Sequence, residues 1–588
     1  MTGHARGADA ESILAVDIGT DWTHIVLIDR VEGEYRYVAS TAAPSTWEQP
    51  VSDVTSGVRY ATRDIEAITG RTLVDDREGL ISPERRDGSG VDELVITSSA
   101  APPVRVLIAG LTRDLSVETA VRCAEFICST VTDMIVWDEG GQGWDTDHLR
   151  KLHRDPPDVV LIVGGVDTGP VTPLVEMVRV LGATFGSLPE DQKPVLLFAA
   201  NQDARRPAAG TISGRLDFRV VDNVRPAVDV ETISEARLEL EKIYRKAKIE
   251  RLPGIDSLRA WCDIPILPTP VSLESMLRLL WQQNDLERGI LGLDVGSYST
   301  HALVATDAGL LSHLNRGVGC GRGLRQVMDS TGLYSLLRWV PKVMRPGEAR
   351  ARLTNMEMRP ASISQTMEDL MLAQAVAREA AWQTLSRARA RWGVTEPLFG
   401  TGSMPPLDLI VVRGGVFASA PHLGQVALTV MDGVQPVGVS RIVLDWASML
   451  PQLGALAHQT PMATAQVAQR DALVELGTLV APLGRIRDGQ VAVRAYLHRD
   501  DGPSLEVRVP FGSIRRMPLR ADQTATLELR PHRRLDIGLG KAGVGAKMKV
   551  RGGALGVVID GRGRPLELPA DNRERLLRLQ QWVRMMHA

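Results

Sequence analysis

Two segments of the chain repeat one pattern, ILAVDIGTDWTHIVLID at Ile13–Asp29 and ILGLDVGSYSTHALVA at Ile290–Ala305. Each runs apolar residues into an aspartate, then a glycine with small hydroxyl residues, then a second apolar run. Short apolar runs on either side of a turn signal predict a strand, a tight turn and a second strand. The repeat therefore predicts two related β-hairpins, one at the start of the chain and one near its middle.

The residue types in the predicted turns are suited to phosphate. A glycine lets a turn approach a ligand closely because it has no Cβ. Hydroxyls and backbone N–H groups can donate hydrogen bonds to phosphate oxygens, and Asp17 and Asp294 can hold a cation or its waters. Two such hairpins in one chain indicate a nucleotide held between two related lobes.

A third element strengthens the nucleotide hypothesis. Val411–Val416 reads VVRGGV, which predicts a buried strand ending in Gly414 and Gly415 before a helix. The two glycines would let the sugar or α-phosphate of a nucleotide lie against the backbone at a helix N-terminus. Further on, LGALA at Leu453–Ala457 places small residues in a predicted helix, which suits a close crossing of two helices.

Length and charge limit the architecture and the ligands. At 588 residues the chain exceeds a single core, and about three to four domains are expected. With 68 basic and 71 acidic residues, the net charge of −3 gives no basic surface for nucleic acid or an anionic membrane. No lysine precedes Lys151, so backbone amides, hydroxyls, arginine or Mg²⁺ must neutralise any phosphate at the first hairpin.

The sequence predicts a cytoplasmic protein that does not enter a membrane. No apolar run reaches the ~18 residues of a spanning helix, and the polar N-terminus is unlike a secretory signal. The four cysteines are too few for a disulfide scaffold and lack zinc spacing; they are Cys123, Cys128, Cys262 and Cys320.

The pattern of apolar and polar residues changes several times along the chain. Short continuous apolar strands that alternate with helices predict a parallel sheet in the middle region. Alternating segments between glycines predict a β-rich C-terminal region. The predicted divisions are a flexible tail (1–10), a lobe with the first phosphate loop (11–103), a Rossmann-like α/β region (104–285), a second lobe with phosphate loop two and the adenosine motif (286–470), a β-rich domain (471–571) and a terminal helix (572–588).

The order of these elements resembles the superfamily of actin, Hsp70 and sugar-kinase ATPases. The resemblance implies a two-lobed actin-like ATPase fold of the α/β class that binds ATP or ADP with Mg²⁺. It implies that Asp17 and Asp294 are the catalytic and metal-binding carboxylates. The nucleotide-binding residues that it implies are Gly19, Thr20 and Thr23 in loop one, Gly296, Ser297, Ser299 and Thr300 in loop two, and Gly414 and Gly415 at the adenosine.

Most of residues 12–460 resemble a narrower family, the glutamate mutase L family, also called methylaspartate mutase accessory proteins. The shared segments include DVVLIVGGVDTGP, RLTNMEMRPASISQTMEDLMLAQAVAREA and the long QVALTVMDGVQPVGVSRIVLDWASMLPQLGALA. Members of that family are regarded as companions of adenosylcobalamin-dependent mutases and not as mutases. The resemblance therefore implies mutase subunits as partners, and it leaves the oligomeric state open.

Two departures from the family pattern concern hydrolysis. Loop two of the family usually ends in Thr-Thr-Asp, whereas this chain has Ser299, Thr300 and His301. Loop one has Asp21 and Trp22 where small hydroxyl residues are more usual. These departures leave open whether the chain is a weak Mg²⁺-dependent ATPase.

Three functions stay open at this point. The first is an ATP-binding, chaperone-like or reactivase-like accessory protein for a cobalamin-dependent mutase such as glutamate mutase. The second is a small-molecule kinase on the same fold, for which Asp167 is the candidate general base. The third is a non-catalytic, nucleotide-dependent scaffold. The chain lacks the Asp-x-His-x-x-Gly string typical of base-off cobalamin sites, so we expect that it does not carry the corrinoid itself.

Overall fold

The computed structural model describes residues 10–75, 79–138, 144–212, 214–262, 264–392, 404–499 and 502–587. Residues 1–9 of the predicted tail and Ala588 of the predicted terminal helix lie outside the described residues. The chain divides into two compact units. Unit 1 falls within Met1–Ser45, Val58–Val95 and Ser272–Ala588, and unit 2 within Thr46–Gly57 and Ile96–Val271.

The first hairpin of the repeat forms as predicted. Strands β1 and β2 pair antiparallel, with Asp17 directly opposite His24, and the sheet continues in the order β6-β1-β2-β3. Every residue of β1 is buried, including the polar Ser12 and Asp17, and the residues between them form an unbroken apolar run. The first elements of the chain are β1 (Ser12–Ile18), β2 (Trp22–Val31), β3 (Glu34–Pro44), α1 (Val54–Thr69), β4 (Val74–Asp75), β5 (Gly79–Leu80) and β6 (Glu93–Ser98).

Unit 2 is built on a parallel sheet, which confirms the predicted class of the middle region. Its strands run in the order β11-β10-β9-β7-β8, with parallel pairing throughout. Strand β9, VVLIV, is buried along its whole length, as expected for a central strand covered on both faces. The elements from this part of the chain are β7 (Val104–Gly110), α2 (Glu118–Ala124), β8 (Ser129–Val136), α3 (Thr146–Arg154), β9 (Val159–Val163), α4 (Thr172–Phe185), β10 (Val195–Phe198), α5 (Arg205–Ile212), β11 (Phe218–Val220), α6 (Ser234–Ala247), α7 (Ile255–Trp261), β12 (Leu267–Pro268) and α8 (Thr269–Gln283).

The second hairpin begins a larger sheet in unit 1. Strands β13, β14 and β15 form an antiparallel meander, and β13 also pairs parallel with β16, which pairs parallel with β17. The longest helix in the described part of this region is α12, with 25 residues. The elements are β13 (Ile290–Val295), β14 (Ser299–Thr306), β15 (Gly309–Arg316), α9 (Leu324–Thr331), α10 (Leu333–Leu337), α11 (Pro346–Met358), α12 (Met367–Arg391), β16 (Leu409–Arg413), α13 (Gly415–Ala418), α14 (Leu423–Gly433), β17 (Gly438–Asp445), α15 (Leu450–Leu456) and α16 (Pro461–Arg470).

The C-terminal region is rich in β-structure, as predicted, and part of it extends the sheet of the second hairpin. That sheet has the order β15-β14-β13-β16-β17-β18-β24-β21, and a separate antiparallel sheet has the order β20-β19-β22-β23. Burial alternates along β22, so one face of the smaller sheet meets a core and the other meets solvent. The elements are β18 (Leu473–Ala481), β19 (Val491–Arg499), β20 (Leu505–Pro510), β21 (Ile514–Met517), β22 (Thr524–Pro531), β23 (Ala546–Arg551), β24 (Val557–Asp560) and α17 (Asn572–His587).

A buried ion network ties the C-terminal strands to the second lobe. Arg562 donates to Asp432 on α14 at 2.7 Å and to Asp560 at the end of β24 at 2.8 Å. Arg378 on α12 donates to the other oxygen of Asp432 at 2.8 Å. Each of these four charged side chains is buried and bonded to a side chain of opposite charge, so that none of them lacks a counter-ion.

None of the helices in the described part of the chain is long and apolar enough to cross a membrane.

The small residues of LGALA mark a close crossing, as predicted. Gly454 lies in α15, and a Cβ at that position would overlap the carbonyl oxygen of Ser272 in α8 and approach the Cβ of Met276 to 3.2 Å. The two helices can therefore pack at this distance only because position 454 has no side chain.

We expect Gly454→Ala to lower the free energy of unfolding by about 1–3 kcal/mol, because the added methyl group must push the helices apart. Gly347→Ala is the matched control, since a Cβ at that helical position meets no atom within 4 Å. It should change stability little, or raise it by up to about 1 kcal/mol. Chemical denaturation of both variants checks this, and equal stability of the two variants would contradict it.

Candidate functional site

The two hairpins form the same turn at their aspartates. The N–H of Gly19 donates to the carbonyl of Trp22 at 2.9 Å, and the N–H of Gly296 donates to that of Ser299 at 2.9 Å. A Cβ on Gly19 would lie 2.7 Å from the Trp22 oxygen, and one on Gly296 would lie 3.0 Å from the Ser299 oxygen. The turn itself therefore requires these glycines, and it uses their N–H groups within the hairpin.

The buried side chain of Arg413 joins the two hairpins. Its Nη2 lies 2.7 Å from Oδ2 of Asp17, and its Nη1 lies 2.6 Å from Oδ2 of Asp294. Its Nε lies 3.4 Å from a third carboxylate, that of Asp445. Strand pairing explains the arrangement, because Arg413 ends β16 beside Asp294 on β13, and Asp445 ends the neighbouring β17.

The charges of this cluster shift each other's protonation. Burial alone would lower the pKa of Arg413, but the carboxylates of Asp294, Asp17 and Asp445 raise it above its ordinary value. Burial raises the pKa of Asp445 to about 6, although Arg413 and the backbone N–H groups of the following helix oppose this shift. One guanidinium faces three carboxylates, so the formal charge of the four side chains is negative.

His24 is a member of the site that the sequence predictions did not include. It lies opposite Asp17 in the β1–β2 pair, and His301 lies opposite Asp294 in the β13–β14 pair. Burial and the nearby Arg413 lower the pKa of His24 to about 4, against the opposing effect of Asp17. The Thr-His dipeptide that both hairpins share was the signal that could have identified His24.

A second contact links the tips of the hairpins. Asp21, which is buried, accepts hydrogen bonds from the hydroxyl of Ser297 and from Nε of Arg322, the latter at 2.6 Å. The backbone N–H of Arg322 in turn donates to Ser297 Oγ at 3.1 Å. Ser297, predicted to bind phosphate, therefore donates to Asp21 in this structure.

The glycine-rich turn at 317–323 packs directly on loop two. The N–H of Cys320 donates to the carbonyl of Gly296, and the N–H of Gly321 donates to that of Ser297, both at 2.9 Å. A Cβ on Gly321 would overlap the Ser297 side chain. The turn needs glycine because of this close approach, and it places Arg322 against Asp21.

The remaining predicted nucleotide residues occupy different surroundings. The hydroxyl of Thr23 bonds to Ser45 at 3.0 Å, and the buried hydroxyl of Thr300 donates to the carbonyl of Val318 at 2.8 Å, so both have structural partners. Thr20 and Ser299 lie at the turns and are partly buried. His301 shares a hydrogen bond of 2.9 Å with Ser312.

The two adjacent glycines have different environments. Gly414 has a φ of +124°, and a Cβ there would overlap the carbonyl oxygen of Val295 in the second hairpin. Gly415 meets no atom within 4 Å at its Cβ position, so open space lies beside it. Gly414 therefore serves the packing of the strand end, and Gly415 is the position against which a ligand can lie.

The space between Asp17 and Asp294 does not fit a magnesium ion in this arrangement. Mg²⁺ requires several oxygen ligands at close range in octahedral geometry, but the Arg413 guanidinium already bonds one oxygen of each carboxylate. Among the described residues, no group of three or more His, Cys, Asp or Glu side chains is placed to hold a metal ion. Metal binding by the two aspartates stays a prediction for a state in which Arg413 has moved.

The candidate kinase base belongs to a bonded turn of unit 2. Asp167 accepts hydrogen bonds from the side-chain amide of Asn223 at 2.9 Å and from the N–H of Gln202 at 3.2 Å. Asn201, three residues after β10, accepts a hydrogen bond from the N–H of Asp203 at 2.9 Å and caps a short helical turn. These contacts give the three side chains structural roles at the edge of the unit 2 sheet.

Sequence comparison identifies relatives of the chain. The family model described as MutL protein matches residues 13–472, which confirms the resemblance to the glutamate mutase L family. Protein MutL of Clostridium tetanomorphum is 23% identical over 297 residues, covering 49% of this chain. The match covers 57% of that relative's own length.

Several solved structures also align, with low scores. Nucleotide-free acetone carboxylase aligns with a TM-score of 0.37 and 11% identity over 85% of this chain and 81% of its own. Nucleotide-free diol dehydratase-reactivating factor aligns with a TM-score of 0.29 and 10% identity over 76% and 99%. Component A of (R)-2-hydroxyglutaryl-CoA dehydratase from Acidaminococcus fermentans aligns with a TM-score of 0.27 and 9% identity over 77% and 98%. At these scores the likeness supports no inference about function.

His24 should make the stability of the protein sensitive to acid. Its folded-state pKa of about 4 lies below the ordinary value of 6.5, so the unfolded chain binds the proton more readily. The stability that neutral His24 contributes is therefore complete above about pH 6.5 and is lost as the pH falls through about 4.

We expect the free energy of unfolding to fall with acidification by on the order of 1–3 kcal/mol more in the wild type than in His24→Gln. Chemical denaturation between about pH 7 and pH 4.5 measures the difference. His458→Gln, at an exposed histidine, should follow the wild type. Parallel profiles for wild type and His24→Gln would contradict this account of the site.

Proposed function

The chain belongs to the MutL protein family, and from this premise we propose that it is an ATP-binding accessory protein of an adenosylcobalamin-dependent mutase such as glutamate mutase. Its action is that of a chaperone or reactivase, with ATP or ADP bound at the two hairpins. The observation that carries the proposal is the family match, which spans both hairpins and the diglycine segment.

The geometry of the site supports nucleotide binding at this position. Two turns of the same construction, each beginning at an aspartate, are held together through Arg413. The open side of Gly415 adjoins the same strand end, where the adenosine is proposed to lie. Phosphate oxygens would accept hydrogen bonds from the hydroxyls at the turns, Thr20, Ser297 and Ser299.

Nucleotide must compete with contacts inside the protein. Ser297 donates to Asp21 and can bind phosphate only by giving up that bond. Arg322 bonds the same aspartate and belongs to the glycine-rich turn that packs on loop two, so a change at Ser297 would also affect this turn. ATP and ADP shift the protein between joined and separated hairpin tips only as far as their affinities for the two states differ. The mutase would bind one of these states better than the other.

Gly415→Val tests the site and the function together. Because a Cβ at position 415 has open space, the variant should keep the stability of the wild type. We expect its affinity for ADP, measured by calorimetry, to fall at least about tenfold, since the side chain occupies the space of the adenosine. In the same preparation, ATP-dependent recovery of activity by an inactivated cobalamin mutase should be lost.

The controls separate this function from its alternatives. Gly347→Ala, at another helical position with open space, should bind ADP and support recovery like the wild type. If the wild type binds neither ATP nor ADP, the proposal is wrong. If nucleotide binds and mutase activity does not recover, the kinase or scaffold hypothesis replaces it. Phosphorylation of a small metabolite that is lost in Asp167→Asn would select the kinase.

A further inference from the structure

The Arg413 guanidinium lies between Asp17 and Asp294, the two carboxylates that the sequence predicts to hold a metal ion. It bonds one oxygen of Asp17 and one of Asp294 with two different nitrogens, so it spans the gap between the hairpins. Its side chain is 10% exposed, and those of Asp17 and Asp294 are 3% and 15% exposed. The contact is therefore shielded from water, which strengthens attraction between opposite charges and repulsion between like charges.

The site also retains the means to hold a second kind of cation. Arg413 supplies one positive charge to three carboxylates, since Asp445 lies 3.4 Å from its Nε. The second oxygen of Asp294, Oδ1, is buried and has no hydrogen-bond partner in the described part of the chain. A negative cluster with an unused carboxylate oxygen attracts a divalent cation, but the guanidinium occupies the space between the two aspartates.

We propose that Arg413 and a divalent cation compete for the space between Asp17 and Asp294, and that Arg413 occupies it in the protein without nucleotide. A cation enters between the aspartates only when the guanidinium leaves them. This inference rests on the proposed function for one point, which is that nucleotide draws the guanidinium away.

The chain position of Arg413 gives the displaced side chain a target. It directly precedes Gly414 and Gly415, the segment proposed to contact the α-phosphate and sugar. A guanidinium can bind phosphate through two parallel N–H bonds. If the guanidinium left the two aspartates to bind phosphate, nucleotide binding would also clear the space between Asp17 and Asp294 for a cation.

Manganese binding without nucleotide tests the competition. Titration of Mn²⁺ followed by electron paramagnetic resonance reports the free ion directly. The wild type should show no saturable site below millimolar concentrations. Arg413→Gln should bind Mn²⁺ at least about tenfold more tightly, because it empties the space and removes a repelling charge. Adding Asp294→Asn to that variant should abolish the gain.

Two further variants make the result specific. Arg322→Gln also removes a positive charge from the hairpin contact, but it leaves the space between Asp17 and Asp294 filled, so its Mn²⁺ affinity should stay within about twofold of the wild type. Arg413→Lys keeps the charge but cannot bond both carboxylates through a planar fork. Arg413→Lys should fold and should show a smaller gain in Mn²⁺ affinity than Arg413→Gln. It therefore still tests the proposal if Arg413→Gln folds poorly.

The Mn²⁺ measurements decide whether Arg413 and a divalent cation compete, and they do so independently of whether the protein binds nucleotide. A wild-type Mn²⁺ site in the micromolar range that is lost in Asp17→Asn would overturn the proposal. The proposal would also be overturned if Arg413→Gln and Arg413→Lys both bound Mn²⁺ no more tightly than the wild type. Since no nucleotide is present, failure of ADP binding would refute the proposed function and leave these measurements standing.

Discussion

One buried guanidinium connects the ends of three strands that carry the candidate site. Asp17 comes from the first hairpin, Asp294 from the second, and Asp445 from the strand after the diglycine, and Arg413 contacts all three. Buried carboxylates are costly unless they are paired. Each hairpin therefore places its aspartate beside the same arginine, and the two related hairpins must meet.

The rest of the site follows from that meeting. Once the aspartates are joined, the turns that follow them come together, and Asp21 reaches Ser297 and Arg322 across the contact. His24 lies opposite Asp17 in the strand register, and burial and the nearby Arg413 lower its pKa. The side chains of the two turns thus bond to each other, and under the proposed function a nucleotide would act by replacing these contacts. This is the physical basis for a switch, as opposed to an open pocket that is only filled.

Much of the fold followed from local sequence patterns. The two hairpins, the parallel sheet of the middle region and the β-rich C-terminal region all reflect apolar periodicity and turn residues, and Gly454 marked a helix crossing. The ion pairs could not be predicted in the same way. Arg413 lies 396 positions from Asp17 along the chain, and no local pattern indicates which acid a buried arginine will meet.

The same limit applies to the glycines and to the C-terminal strands. Gly19 and Gly296 are predicted to bind phosphate, and the structure adds that the turns use their N–H groups for hydrogen bonds of their own. Strand β24 joins the sheet of the second hairpin through parallel pairing with β18, a long-range contact that strand propensity does not specify. The predicted domain boundaries and the roles of the site residues stay predictions.

The joining of the hairpins through Arg413 is tested most directly by a double-mutant cycle. The free energies of unfolding of the wild type, Arg413→Gln, Asp17→Asn and the double variant give the coupling between the two side chains. A buried ion pair predicts a coupling of at least about 2 kcal/mol, because each single variant leaves a buried charge without its partner. Effects that add to within about 0.5 kcal/mol would show that the two side chains do not interact, and would contradict this account.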